Sequence, residues 1–206
     1  MIEHYFQEIN PSQHFQFQHL EMLYKEWNSK INVVSRKDID NLEIHHLLFS
    51  LSIAKFFKFQ PGTRIMDAGT GGGLPGIPLA IYFPQVEFTL VDSIGKKIKV
   101  VENICKELGL INVIPICSRF ETVESKFHFI IGRAVIALPE LILMVRSKLL
   151  KQEINTFPNG ILYLKGGEVE EELKQVSGKY KVYSLANHFA EPFFDTKKLI
   201  HLYKLS

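Results

Sequence analysis

The apolar residues near the start of the chain are spaced as on one face of a helix. They follow Pro11-Ser12 at intervals of three and four residues, and they are Phe17, Leu20, Leu23, Tyr24 and Trp27. This period predicts an amphipathic helix, and Ser12 is suited to be its N-cap.

A second helix is predicted from Asp38, its expected N-cap, to the residues before Pro61-Gly62. Its apolar positions are Ile44, Leu47, Leu48, Leu51 and Ala54. Residues 28–37 between the two helices are polar and basic, which predicts a loop. Residues 1–60 are therefore expected to form a helical extension, packed as one unit with a second domain at 61–206.

From Thr63 onward, short apolar runs alternate with helical stretches, as in βαβ units that build a parallel sheet. The predicted strands are 64–68, 86–92, 113–117, 127–132 and 160–165, and the predicted helices are 75–82, 94–108, 138–150 and 168–176. Ser93 is the expected N-cap of helix 94–108, and Gly109 suits a left-handed residue after its end. The buried stripe of this helix is predicted to be Ile98, Val101, Cys105 and Leu108.

The end of the chain has a different pattern. Segments 179–185 and 198–205 read as two strands joined by a loop without a helix. Such a connection favours an antiparallel hairpin at the edge of the sheet. The fold class is therefore α/β, a mostly parallel seven-stranded sheet with a C-terminal antiparallel hairpin.

The composition of the 206 residues, 46 % apolar and 22 % charged, is that of an ordinary globular protein. No apolar run reaches the length of about 20 residues that spans a bilayer, and no signal peptide is expected from the first residues. Cys105 and Cys117 have no second ligand at zinc spacing, so we expect no metal and a reducing, cytoplasmic location. The net charge of +2 is only a weak indication of a nucleic-acid partner.

The most informative segment is a glycine-rich stretch between a predicted strand and a predicted helix. It reads Asp67-Ala68-Gly69-Thr70-Gly71-Gly72-Gly73-Leu74-Pro75-Gly76. Glycines in this context allow positive φ and a close approach of backbone N–H groups to a ligand. Gly71, Gly73 and Gly76 also match the G-x-G-x-x-G pattern of a dinucleotide site, so an NAD-dependent oxidoreductase is one alternative.

Charge favours a different cofactor. Asp67 would repel a pyrophosphate, whereas it would attract the sulfonium and ammonium groups of S-adenosylmethionine. Asp92 lies nineteen positions after Gly73, close to the separation at which an acidic residue reaches a ribose. Both cofactors have that ribose, so Asp92 supports a nucleoside without distinguishing them.

With these residues in hand, the sequence closely resembles the RsmG (GidB) family of 16S ribosomal RNA methyltransferases. The resemblance runs from about Leu20 to Gly167. Besides the glycine stretch and Ile77-Pro78-Leu79, the matching residues are Trp27-Asn28, Ile31-Asn32, His46, Ser50-Leu51, Leu90-Val91-Asp92-Ser93, Lys96-Lys97, Ser118-Arg119-Phe120-Glu121, Arg133-Ala134 and Leu164-Lys165-Gly166.

The resemblance implies a Rossmann-like class I methyltransferase that uses S-adenosylmethionine to modify N7 of a guanosine in the decoding-region hairpin of 16S rRNA. Together with the charge argument, it gives the expected cofactor-binding residues Asp67, Gly69, Gly71, Gly73, Leu74, Asp92, Phe120, Glu121 and Arg133. The chain departs from the family at His128 and at Phe49, where relatives often have Asp.

Guanine N7 has a free lone pair and no proton to lose, so its methylation needs alignment rather than a general base. We therefore assign no catalytic residue. Arg133 and Lys165 are candidates for substrate positioning, through the cofactor carboxylate, guanine O6 or an RNA phosphate; for each, the alternative is a surface ion pair.

The expected partner is 16S rRNA or the small ribosomal subunit, bound by a monomer. Candidate phosphate contacts are Arg36-Lys37, Lys96-Lys97-Lys99, Arg146-Lys148-Lys151 and Lys197-Lys198. Any of these clusters could also be simply a solvated surface. A small-molecule methyltransferase is the second alternative.

Overall fold

The structure is a computed structural model, and it describes residues 1–133 and 135–205. Ala134, which belongs to the Arg133-Ala134 pair of the family resemblance, lies outside the described residues.

Seven strands form one sheet in the order β3-β2-β1-β4-β5-β7-β6. They are β1 (Arg64–Ala68), β2 (Glu87–Asp92), β3 (Val113–Cys117), β4 (Phe129–Arg133), β5 (Gly160–Gly166), β6 (Lys179–Ser184) and β7 (Lys197–Tyr203). Strands β1 to β5 pair in parallel, and β7 pairs antiparallel with both β5 and β6. The predicted fold class is confirmed, including the antiparallel hairpin at one edge.

The two edge strands have distinct chemistry. Strand β3 contains Pro115, which has no N–H to donate and is tolerated at a sheet edge. Strand β6, at the opposite edge, exposes Lys179 and Lys181.

Helices surround the sheet. They are α1 (Ile2–Tyr5), α2 (Pro11–Lys30), α3 (Phe49–Leu51), α4 (Ile53–Phe56), α5 (Gly76–Tyr82), α6 (Gly95–Glu107), α7 (Leu138–Val145) and α8 (Glu170–Leu173). The predicted stripe of α6 is buried, and Gly109 has a φ of 64°, as expected of a left-handed residue after the helix.

The cap of α2 differs from the prediction. Asn10, not Ser12, is the N-cap: its Oδ1 accepts from the Gln13 backbone N at 2.9 Å, and Gln13 Oε1 accepts from the Asn10 N at 3.0 Å. Pro11 then occupies the first helical position, where its missing N–H leaves no bond unmade. This reciprocal capping box places the start of the helix before Ser12.

The predicted second helix is divided into short pieces. A π-helical segment, Leu42–Leu48, leads into α3 and α4. Asp38 precedes a single 3₁₀ turn but makes no side-chain cap hydrogen bond, because its carboxylate binds His45 and His46 instead. Asp38 therefore holds the N-cap position of this turn, but the predicted capping of one long second helix is not found.

The start of α6 also differs. Ile94 is the N-cap of this helix, without a side-chain cap bond, so the prediction for Ser93 is wrong. Oδ1 of Asp92 accepts from the Ile94 N at 2.8 Å, in the turn that leads into this helix.

Each face of the sheet has its own hydrophobic cluster. Ile65 of β1 belongs to one cluster and its neighbour Met66 to the other, because successive side chains of a strand point to opposite faces. The larger cluster also contains Phe17 and Leu20 of α2 together with Leu79 of α5. The helical extension and the sheet domain thus share one core.

The two departures from the family are both buried. Nδ1 of His128 accepts a hydrogen bond of 2.9 Å from the Arg64 backbone N, at the start of β1. Phe49 packs edge-on against the rings of Phe193 and Phe194. Each residue therefore has a structural partner: a backbone N–H for His128 and two aromatic rings for Phe49.

Candidate active site

A cavity of about 570 Å³ lies at the carboxyl ends of the parallel strands, where open α/β sheets bind ligands. Most of its walls come from the glycine loop after β1, the end of β2, the segment after β3 and the end of β4, and Val33, Lys97 and Met144 add to them. The lining residues are Val33, Gly69, Thr70, Gly71, Gly72, Leu74, Asp92, Ser93, Ile94, Lys97, Ser118, Arg119, Phe120, Glu121, Arg133, Val135, Ile136 and Met144.

Glycine is required at two points of the loop. Gly69 has a φ of 69°, and a Cβ there would come within 2.7 Å of the Val135 Cγ1. Gly71 has a φ of 60° with open space around it, so backbone conformation alone favours glycine. The absent side chains leave the loop backbone bordering the cavity.

The helical extension supports this loop from behind. The buried Tyr24 hydroxyl donates to the Gly72 carbonyl at 2.9 Å. Val33 packs so closely on Gly72 that a Cβ there would overlap its side chain. Residues of the extension therefore help to set the shape of the cavity.

Asp67 is placed differently from the sequence-based expectation. It is fully buried and does not line the cavity. Its Oδ2 accepts from the Thr70 hydroxyl at 2.6 Å and from the Gly76 N at 2.9 Å, while Oδ1 has no hydrogen-bond partner among the described residues. Burial raises the pKa of this carboxyl to about 7. Asp67 thus shapes the loop internally. The sequence-based argument for the cofactor assumed that this carboxylate faces the ligand, and the structure buries it beneath the loop instead.

Asp92, in contrast, lines the cavity at the end of β2. Oδ2 accepts from the Gly71 N at 2.9 Å and Oδ1 from the Ile94 N at 2.8 Å. Each carboxylate oxygen can accept a further hydrogen bond, so this group is fixed in place and still able to bind two hydroxyls.

Arg133, at the end of β4, reaches the cavity from the other side. Its Nη2 donates to Nδ1 of His46 at 3.0 Å, and Nη1 donates to the His45 carbonyl at 3.5 Å. No carboxylate among residues 1–133 and 135–205 pairs directly with this guanidinium. A partly buried cation without an anionic partner is thus presented to the cavity.

Of the other predicted residues, Leu74, Phe120 and Glu121 line the cavity. Gly73 does not; a Cβ there would meet the Ile77 side chain behind the loop. Lys165 also lies outside the lining and forms an ion pair with Glu172. For Lys165, therefore, the structure contains the alternative ion pair.

The predicted basic clusters contain residues that differ in their availability to phosphate. Lys148 is buried and donates to the Glu121 and Val123 carbonyls, so it is unavailable to phosphate. Lys198 pairs with Glu170 at 3.1 Å. Lys97 lines the cavity, and so does Arg119, whose side chain is 77 % exposed.

Some lining residues had no signal in the sequence. Val33 lies in the segment predicted as a polar loop, Ile136 lies between β4 and α7, and Met144 belongs to α7. Their apolar side chains are typical of core positions, so only the folded arrangement identifies them as cavity walls.

The lining has the chemistry that S-adenosylmethionine requires. A carboxylate for the ribose, an aromatic ring and aliphatic side chains for the adenine, and a guanidinium for the amino-acid carboxylate all border one cavity. Asp92, Phe120, Leu74 and Arg133 would hold the nucleoside and its amino-acid part.

The sheet order, the antiparallel last strands and the glycine loop at this cavity define the Rossmann-like class I methyltransferase fold. The fold is similar to that of a mutant MtNAS in complex with S-adenosylmethionine, with a TM-score of 0.57, 15 % identity, and coverage of 93 % of this chain and 76 % of that one. A precorrin-6y C5,15-methyltransferase from Geobacter metallireducens has a TM-score of 0.53 and 12 % identity, covering 84 % of this chain and 90 % of that chain.

Sequence similarity is much closer. Residues 13–200 match the family described as GidB, rRNA small subunit methyltransferase G, and the chain belongs to this family. A protein from Phocaeicola vulgatus named ribosomal RNA small subunit methyltransferase G is 51 % identical over 202 residues, which cover 98 % of this chain and 97 % of that protein.

Residues 1–133 and 135–205 contain no group of three or more His, Cys, Asp or Glu side chains that could hold a metal ion. None of their helices is both long and apolar enough to cross a membrane.

Proposed function

We propose that this chain transfers a methyl group from S-adenosylmethionine to N7 of a guanosine in the decoding-region hairpin of 16S rRNA. The observation that carries the proposal is the membership of nearly the whole chain in the GidB family, together with a cavity lined by the expected Asp92, Phe120 and Arg133. Two reasons support the N7 position. One is the family resemblance, and the other is that no general base is assigned in this chain, while methylation at N7 requires none.

The cofactor supplies an electrophilic methyl group on a sulfonium. The chain itself has to bind and align the reactants: Asp92 takes the ribose hydroxyls, Phe120 packs against the adenine, and Arg133 binds an anionic oxygen. Because guanine N7 has a lone pair and no proton, alignment is the main contribution, and model systems give about 7–11 kcal/mol for favourable cases.

RNA would approach the open side of the cavity. Arg119 and Lys97 are at its wall, and Arg36 and Lys37 are exposed in the segment that follows Val33. Contacts of such side chains to phosphates would give binding that weakens as salt increases. We further propose that the chain acts as a monomer in the cytoplasm. Light scattering of the purified protein would test the monomeric state.

The test uses labelled S-adenosylmethionine and ribosomal particles that lack native N7 methylation. Incorporation of label into 16S rRNA, and a new borohydride- and aniline-sensitive cleavage in the decoding hairpin, are the expected results. Asp92→Asn should lower cofactor affinity about tenfold, since it removes a charged acceptor. Asp195→Asn, at an exposed position, is the matched control.

Other outcomes would identify the alternatives. Label found only in small molecules would support a small-molecule methyltransferase and contradict the rRNA substrate. In calorimetry, tight binding of NAD without binding of S-adenosylhomocysteine would contradict the cofactor itself.

A further inference from the structure

A continuous hydrogen-bonded chain joins the helical extension to the cavity. The Asp38 carboxylate contacts Nδ1 of His45 at 2.6 Å with one oxygen and Nε2 of His46 at 2.7 Å with the other. The opposite nitrogen of His46, Nδ1, is 3.0 Å from Nη2 of Arg133. Among the described side chains, the His46 ring thus links Asp38 to Arg133.

Donor and acceptor chemistry fixes the state of that ring. A guanidinium only donates, so Nδ1 of His46 must accept, and in a neutral imidazole the proton then lies on Nε2. Nε2–H in turn donates to Asp38, which accepts only. Burial, followed by the positive charge of Arg133, lowers the pKa of His46 to about 4, in agreement with a neutral ring.

The arrangement orients Arg133 without neutralising it. A direct carboxylate would occupy the guanidinium, whereas the imidazole takes one N–H and keeps the Asp38 charge one ring away. The remaining donors of Arg133 stay available at the cavity wall.

We propose that Asp38 and His46 are positioning residues that hold Arg133 ready to bind an anionic oxygen of a ligand in the cavity. The inference rests on the proposed function, because that oxygen belongs either to the carboxylate of the cofactor or to an RNA phosphate. It extends the site into the helical extension, to two residues that do not line the cavity.

The chain offers a matched pair of variants. His46→Phe keeps a ring but removes the acceptor for Arg133. His45→Phe removes a contact to the same Asp38 carboxylate, and its ring can keep the stacking of His45 on Phe193. Only the first variant touches Arg133 through its side chain.

Binding is measured by calorimetry with S-adenosylhomocysteine and with methylthioadenosine, which lacks the amino-acid carboxylate and ammonium. We expect His46→Phe to weaken S-adenosylhomocysteine about tenfold, with little change for methylthioadenosine. His45→Phe should bind both ligands like the wild type. This pattern would identify the anion as the cofactor carboxylate.

The RNA arm uses a hairpin RNA with the decoding-region sequence. If His46→Phe weakens only this RNA, the anion is a phosphate and the positioning role still holds. If neither ligand nor RNA discriminates His46→Phe from His45→Phe, the proposal is overturned.

Nitrogen-15 NMR of the histidine rings gives a readout independent of ligand and activity. The wild type should show His46 as the neutral Nε2–H tautomer. Asp38→Asn can donate to Nε2 and turn the ring to the Nδ1–H form, which opposes the Arg133 donor, so this variant should reproduce the His46→Phe binding loss. A protonated or Nδ1–H ring in the wild type would contradict the inference.

Failure of the wild type to bind either nucleoside would instead reject the proposed cofactor, while the NMR result would still decide the state of His46.

Discussion

The hydroxyl of Tyr24, in the long helix of the extension, donates a hydrogen bond of 2.9 Å to the carbonyl of Gly72 in the glycine loop. Both groups are buried, so water cannot replace either partner. The loop that borders the cavity therefore depends on a residue 48 positions earlier in the chain.

Replacement of Tyr24 by Phe should lower the free energy of unfolding by about 1–2 kcal/mol, because a buried carbonyl loses its donor. Affinity for S-adenosylhomocysteine should also fall, since the loop is less well fixed. Urea denaturation and calorimetry measure the two effects. The control is Tyr180→Phe at an exposed position; equal behaviour of the two variants would argue against support of the loop by Tyr24.

Gly69→Ala should damage both stability and binding. A non-glycine residue at positive φ costs about 1–3 kcal/mol, and the new Cβ would come within 2.7 Å of Val135, which lines the cavity. Gly62→Ala is the matched control, because Gly62 has a φ of 79° with nothing within 4 Å. We expect similar backbone strain in both variants and loss of S-adenosylhomocysteine binding only for Gly69→Ala. Normal binding by Gly69→Ala would show that the loop can shift.

The Asp67 carboxyl should make stability depend on pH in a defined direction. Burial raises its pKa to about 7 in the fold, whereas an unfolded Asp has a pKa of about 3.9. Its stabilising contribution is therefore complete below pH 4 and is lost as the pH rises through 7.

Asp67→Asn keeps an acceptor for Gly76 and removes this titration. Relative to the wild type, the variant should gain stability by about 2–4 kcal/mol between pH 4 and 8, as measured by urea unfolding across that range. A difference that stays constant with pH would contradict the raised pKa. Asp195→Asn again serves as the control.

His201 should have the opposite dependence. Its Nε2 donates to the Pro158 carbonyl at 3.0 Å, and burial lowers the pKa of the ring to about 4. The stabilising contribution of the neutral ring is present above the unfolded pKa of about 6.5 and is lost as the pH falls through 4.

We expect the stability of the wild type to exceed that of His201→Phe at neutral pH, and the difference to shrink by about 2–3 kcal/mol on acidification to pH 4. Because His46 is unchanged in the variant, its own titration cancels in the comparison. His4→Phe, at an exposed position, should show no such trend. A parallel loss of stability in the wild type and in His201→Phe on acidification would exclude His201 as the titrating group.

The sequence predicts the sheet better than the extension. The predicted bounds of β1 and β3 agree residue for residue with the structure, because each short run lies between residues typical of turns: Pro61-Gly62 and Gly69 for β1, and Asn112 and Ser118 for β3. The division of the second helix has no signal in the spacing of its apolar residues, and neither have the contacts of Asp38 with His45 and His46. The misplaced role of Asp67 has a similar cause, since the sequence marks the end of a strand but not whether a side chain there is buried.

The hydrogen-bonded chain from Asp38 through His46 to Arg133 could not be predicted for the same reason. The resemblance draws attention to His46, yet nothing in the spacing relates it to Arg133, 87 positions later. Periodicity gives the faces of helices and strands, whereas which nitrogen faces which donor depends on the packing of the finished fold.

The chemistry of the outermost strands has a consequence for behaviour at high protein concentration. A strand from another molecule that docked on β3 would lack one hydrogen-bond donor at Pro115, and a strand that docked on β6 would meet the ammonium groups of Lys179 and Lys181. Neither side of the molecule is a good template for sheet-to-sheet polymerisation, so concentrated solutions should resist fibril growth by that route.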